Sequence, residues 1–148
     1  VADVPATRAR ITWLEWIGVA AGLVALVVSF LPWYRAIEPA AAELREQGAP
    51  TWLPVWEGNF LAWFPVVLLM AISVLLLWQR FGKPVQMLSS LWLTLAVLAV
   101  VMMLLRWITL PMSVASGFGL YLGLIVAVGS GVTAFLAFRR DQRATQAT

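Results

Sequence analysis

The stretch Phe60-Leu61-Ala62-Trp63-Phe64-Pro65-Val66-Val67-Leu68-Leu69-Met70-Ala71-Ile72-Ser73-Val74-Leu75-Leu76-Leu77-Trp78 carries no charged side chain. A helix crossing the hydrocarbon core of a bilayer needs about 20 predominantly apolar residues, and this run has that length. Runs at 16–33, 88–105 and 114–138 also lack Asp, Glu, Lys and Arg. With their flanks, the four predict spans at about 13–33, 60–79, 86–108 and 114–138, with a long connection over 34–59.

The rest of the chain agrees. Of its 148 residues, 62% are hydrophobic and 11% charged, where a soluble domain carries about 25% charged residues. One such run could be the core helix of a soluble protein. Four leave too little polar chain to wrap a core. The expected fold is therefore all-α: one polytopic domain over 1–148 with four transmembrane helices and a short helix in the outer first loop. Arg8 and Arg10 resemble the basic end of a secretory leader. The apolar run that follows is longer than the usual leader core of about 7–15 residues, so a retained helix is expected.

Basic residues set the orientation, because cytoplasmic flanks are enriched in Lys and Arg. Arg8, Arg10, Arg80, Lys83, Arg139, Arg140 and Arg143 fall on one side and make up most of the ten basic residues. Glu38, Glu43, Glu46 and Glu57, most of the seven acids, fall on the other. Both termini are expected in the cytoplasm of a bacterial plasma membrane. The net charge of +3 then answers to anionic lipid headgroups; no nucleic-acid partner is expected. Most of the nine tryptophans map to the two boundaries, where an indole keeps its ring in lipid and its N–H wet.

The connection over 34–59 has internal order. Glu38-Pro39 opens and Gly48 closes an Ala-rich stretch, the signature of a short helix. Pro50-Thr51-Trp52-Leu53-Pro54-Val55-Trp56 follows, too apolar for a solvated loop. Tyr34, Trp52 and Trp56 are the partner-binding candidates, since large aromatics dominate interface energies. Small residues supply the packing candidates. Ala115, Gly119, Gly123, Ala127 and Gly131 recur at four-residue intervals, and Gly18, Gly22, Ala25 and Ser29 at four, three and four. Each stripe lines one helical face and permits close backbone approach, so the first and fourth spans are expected to pack on one another.

Chemistry is sparse. With no Cys and no His, zinc sites, haem ligation and His-based triads are excluded, and no catalytic residue, metal or cofactor is expected. Gly117-Phe118-Gly119 with Gly123 lacks the spacing, preceding strand and acidic partner of a dinucleotide fingerprint. Intramembrane ionisable residues mark transport or catalysis, and none lies in mid-span. Glu15 lies one turn inside the boundary, where a helix N-terminus favours a carboxylate; a coupling role like that of small multidrug exporters is the alternative. Arg106, at the outer end of the third span, is a candidate ion-pair partner for Glu57 or a ligand for lipid phosphate.

Leu31-Pro32-Trp33-Tyr34, the Trp/Pro-containing loop and Gly119-Leu120-Tyr121-Leu122-Gly123 resemble small four-helix actinobacterial integral membrane proteins of an LPWY type. That resemblance implies an architecture and no activity. The layout also resembles claudin-like proteins, whose loop cysteines this chain lacks. The function expected is a non-catalytic subunit or assembly partner of a larger membrane complex. Its partners would be membrane lipids and another integral membrane protein. The alternative is a transporter or channel component for a lipid or small apolar molecule.

Overall fold

A computed structural model describes residues 11–81 and 87–146. The basic residues Arg8, Arg10 and Lys83, and most of the short link between the second and third runs, lie outside the described residues. Helix dominates. In chain order the elements are α1 (Trp13–Val28), β1 (Tyr34–Ala36), α2 (Ala40–Glu46), β2 (Trp52–Leu53), a 3-10 turn (Val55–Glu57), α3 (Phe60–Phe81), α4 (Leu88–Ile108), β3 (Val114–Ser116) and α5 (Phe118–Gln146).

Three of these helices, α3, α4 and α5, are long and apolar enough to cross a membrane. At 1.5 Å per residue, the 22 residues of α3 reach about 33 Å, enough for a core of about 30 Å. The 16 residues of α1 reach only about 24 Å. Around the bundle α1 contacts α3, α3 contacts α4, α4 contacts α5, and α5 returns to α1. The core is aliphatic with one deep aromatic layer: Val66, Leu69, Ile72 and Leu76 of α3 and Trp92, Ala96, Ala99 and Met103 of α4 are all but sealed from the surface.

The structure corrects the expected helix limits at two points. The apolar run 29–33 does not continue α1. Phe30 and Leu31 donate to Val27 and Val28 through tighter i to i+3 bonds, and Pro32 has no N–H with which to extend the ladder. Pro32 also disfavours helical backbone at Leu31. Likewise Val114, Ala115 and Ser116 form β3 rather than the first turn of the last helix.

A small sheet was not anticipated by the all-α expectation. Its order is β2-β1-β3, antiparallel throughout. Tyr34 stands opposite Leu53 and Ser116, and Arg35 opposite Trp52 and Ala115. The sheet ties the exit of α1 to both the long loop and the entrance of α5. Bonds from Ala36 N to Thr51 O (2.9 Å) and Ile37 N to Ser113 O (3.0 Å) extend it. Short α2 is steadied by Glu38, whose carboxylate accepts from Ala42 N at 3.1 Å and pairs with Arg45 at 2.7 Å.

Candidate functional site

The corner Leu31-Pro32-Trp33-Tyr34 organises the sheet end of the bundle. Trp33 is 1% exposed, and its indole N–H donates to Val28 O at 2.8 Å. That carbonyl belongs to the last turn of α1, where backbone acceptors lack helical partners. The same corner caps the next helix entrance: Gly117 N donates to Trp33 O at 2.6 Å and Gly119 N to Pro32 O at 2.9 Å. A side chain at Gly117 would run into the Pro32 carbonyl. One folded-back segment thus serves the carbonyl end of α1 and the amide end of α5.

This geometry revises the packing expectation. Helices α1 and α5 are neighbours, as expected, but the glycines of their stripes lie against other residues. On α5, Gly119 and Gly123 accept the Trp33 ring; a Cβ at Gly123 would lie 2.6 Å from Trp33 Cη2. Ala127 is fully buried, Gly131 faces Ala96 of α4, and Ala115 has left the stripe for β3. On α1, Gly18 faces Leu76 and Trp92, while Gly22 lies against Ser73 and the Leu69 carbonyl. The hydroxyl of Ser73 donates across this contact to Val19 O at 3.1 Å. Ala25 is buried. Ser29 has become an anchor: its hydroxyl donates to Leu26 O at 2.5 Å and accepts from the Trp56 indole at 2.9 Å.

The three aromatic candidates of the loop separate. Tyr34 is 3% exposed, whereas Trp52 is 42% and Trp56 38% exposed. Tyr34 is therefore an interior residue and no part of a contact surface. Val55, between the two tryptophans, is fully buried and fastens the loop to the bundle; its N–H donates to Ser29 O at 3.3 Å. The Trp56 ring lies 6.3 Å from that of Phe30. Trp52 rides on β2, opposite Arg35.

No ion pair joins Glu57 to Arg106. Among the described residues the ion pair formed is Arg45 with Glu38. Arg106 turns instead to Tyr34: its Nε–H donates to the phenol oxygen at 3.3 Å, and its guanidinium carbon lies 4.9 Å from the ring centre. The phenol lies deep while Glu57 is exposed, and a guanidinium stacks readily on an aromatic face. Burial pushes the Tyr34 phenol above its ordinary value of 10.0, and the hydrogen bond and charge of Arg106 pull the other way. The sequence signal for this pairing was weak, because Tyr34 and Arg106 are 72 residues apart.

Comparison with protein families, curated proteins and solved structures finds no match to this chain.

At the opposite end, Glu15 is a helix cap. Its carboxylate accepts from Thr12 N at 2.7 Å, while Glu15 N donates to the Thr12 hydroxyl at 3.4 Å, a reciprocal capping box. Above it opens a cavity of about 770 Å³, bordered by Glu15, Gln79, Ser90, Arg140 and Asp141. Trp92 and Leu76 also line it. The Trp92 indole donates to Ser130 Oγ at 3.1 Å, so this ring of the lining is both buried and hydrogen-bonded.

Proposed function

We propose that this chain is a non-catalytic integral membrane subunit that binds another membrane protein through its first loop and one helix face. It would cross the membrane four times, with both termini cytoplasmic and the loop outside. What carries the reading is the fixed presentation of Trp52 and Trp56. The loop is held to the bundle by Val55, by the Ser29 bonds and by the strand pairing of β1 with β2. A preordered loop loses little conformational freedom on docking, and exposed indoles are the side chains that most often anchor interfaces. A fourth crossing by α1 is supported by its lateral contacts with α3, from Gly18 at Leu76 to Gly22 at Ser73.

The transporter reading draws on the cavity of about 770 Å³, which falls within the usual range of ligand pockets. The two readings separate experimentally. The Trp52 side chain makes no hydrogen bond to a described residue and its strand pairing runs through the backbone, so Trp52→Ala leaves the loop's attachments in place. Recovery of the native complex after gentle detergent extraction should fall while the abundance of the chain stays constant. Unchanged recovery, or substrate movement by the purified chain across liposomes, would overturn the subunit reading.

A further inference from the structure

Arg106 occupies the last turn of α4, a helix long and apolar enough to cross a membrane. Two contacts to one buried residue fix its guanidinium: the Nε–H bond to the Tyr34 hydroxyl and the stacking over the Tyr34 ring. Tyr34 is itself held by strand pairing on both sides, so the guanidinium has a rigid mount. Its terminal nitrogens, Nη1 and Nη2, make no hydrogen bond or ion pair to any described residue. No buried side-chain nitrogen or oxygen among the described residues lacks a partner. Those two nitrogens therefore open onto the surface.

The surroundings suit an anion at headgroup depth. A guanidinium keeps its charge at every physiological pH and presents paired N–H donors that match two oxygens of a phosphate. Trp107, next along α4, packs edge-on against Tyr121 at 5.8 Å, and the Tyr121 hydroxyl shares a 2.7 Å hydrogen bond with Ser116. Such amphipathic rings collect where hydrocarbon meets headgroups. A permanent charge at the end of an apolar helix, mounted on an aromatic ring and free of any carboxylate, is complementary to an oxyanion in the same layer.

We propose that Nη1 and Nη2 of Arg106, aimed by Tyr34, bind a phosphate oxyanion at the sheet end of the bundle. A phospholipid headgroup and free phosphate both present that chemistry. The assignment stands independently of the partner-subunit reading. The test uses the full chain, labelled with ¹⁵N-arginine, in uncharged micelles. The Arg106 side-chain resonance is identified by its absence in Arg106→Lys. Titration with phosphatidylglycerol should shift it saturably, and titration with a phosphate-free galactolipid should leave it in place. A matching shift with inorganic phosphate alone would keep the site and assign it to free phosphate. No shift with either phosphate-bearing probe, or an equal shift with galactolipid, would overturn the proposal. Because this titration reads the unaltered protein, it does not depend on how variants fold. As a second arm, phosphatidylglycerol binding should weaken about tenfold in Arg106→Lys, which keeps the charge and loses the fork. Equal affinity in that variant would argue against paired recognition.

Discussion

The indole N–H of Trp33 donates to the carbonyl of Val28, five residues behind it, at 2.8 Å. The chain therefore folds back on α1 as that helix ends. The same ring fills the hollow left by Gly119 and Gly123 on α5. One side chain thus closes a helix end and supplies the surface on which another helix packs.

Trp33→Phe tests the first role. Val28 O also accepts from Leu31 N at 3.1 Å, so losing the indole bond does not orphan the carbonyl. The bond itself is worth about 1 kcal/mol, with a further loss from the smaller ring. Trp33→Ala removes the whole filling and should cost about 3–5 kcal/mol. Thermal unfolding in detergent should rank wild type above Trp33→Phe and Trp33→Phe above Trp33→Ala. Equal midpoints for wild type and Trp33→Ala would contradict the packing.

Two glycine substitutions of identical chemistry should have opposite signs. A Cβ at Gly22 would collide with the Ser73 hydroxyl and lie 2.6 Å from the Leu69 carbonyl, whereas a Cβ at Gly129 meets open space. Gly22→Ala should destabilise by about 1–3 kcal/mol, the range of overpacked sites. Gly129→Ala should be neutral or stabilising by up to about 1 kcal/mol, because alanine restricts the unfolded chain. Urea or thermal titration of the pair decides it.

The long helices were legible because each is an uninterrupted apolar run, a local property of the sequence. Their ends were less so. Val114, Ala115 and Ser116 adjoin an apolar run, and what makes them a strand is pairing with Tyr34, Arg35 and Ala36 about 80 positions earlier. No local pattern contains that information. Pro32 did carry a usable signal for the end of α1, since proline removes a donor and biases its predecessor away from helix. The glycine stripes were visible too, but spacing says only that a face is shallow. Whether a backbone or an indole fills it depends on where Trp33 lands. The Glu57–Arg106 pairing fails for a related reason: charge alone favours an ion pair, and the folded chain brings the buried Tyr34 phenol to the guanidinium instead.

The orientation expected from basic residues can be tested cleanly because the chain has no native cysteine. A probe must sit where reagent can reach it. Ala41, at the heart of the loop, is buried, so a single cysteine at neighbouring exposed Gln47 is the better site. A second belongs at Gln142 near the end of α5, also exposed. In intact cells an impermeant maleimide should label Gln47→Cys and spare Gln142→Cys until the membrane is opened. The reverse pattern would invert the topology.

Tyr34 should make stability fall in alkali. Its phenol is raised above 10.0 in the folded chain, chiefly by burial. Below pH 10 the phenol is protonated in both states and contributes no pH dependence. As pH rises past the ordinary value, the unfolded chain releases its proton while the folded chain keeps it. The folded state then binds more protons, so the stability of unfolding decreases with pH until the folded phenol also ionises. Wild type should lose stability above about pH 10 more steeply than Tyr34→Phe, which has no proton to release there. Arg106 opposes the shift through its hydrogen bond and its charge. Arg106→Gln should consequently move the Tyr34 titration still higher. Phenolate absorbance against pH, as the difference between each protein and its Tyr34→Phe counterpart, isolates this group from Tyr121. A Tyr34 titration at or below the ordinary value in the folded chain would refute the buried phenol.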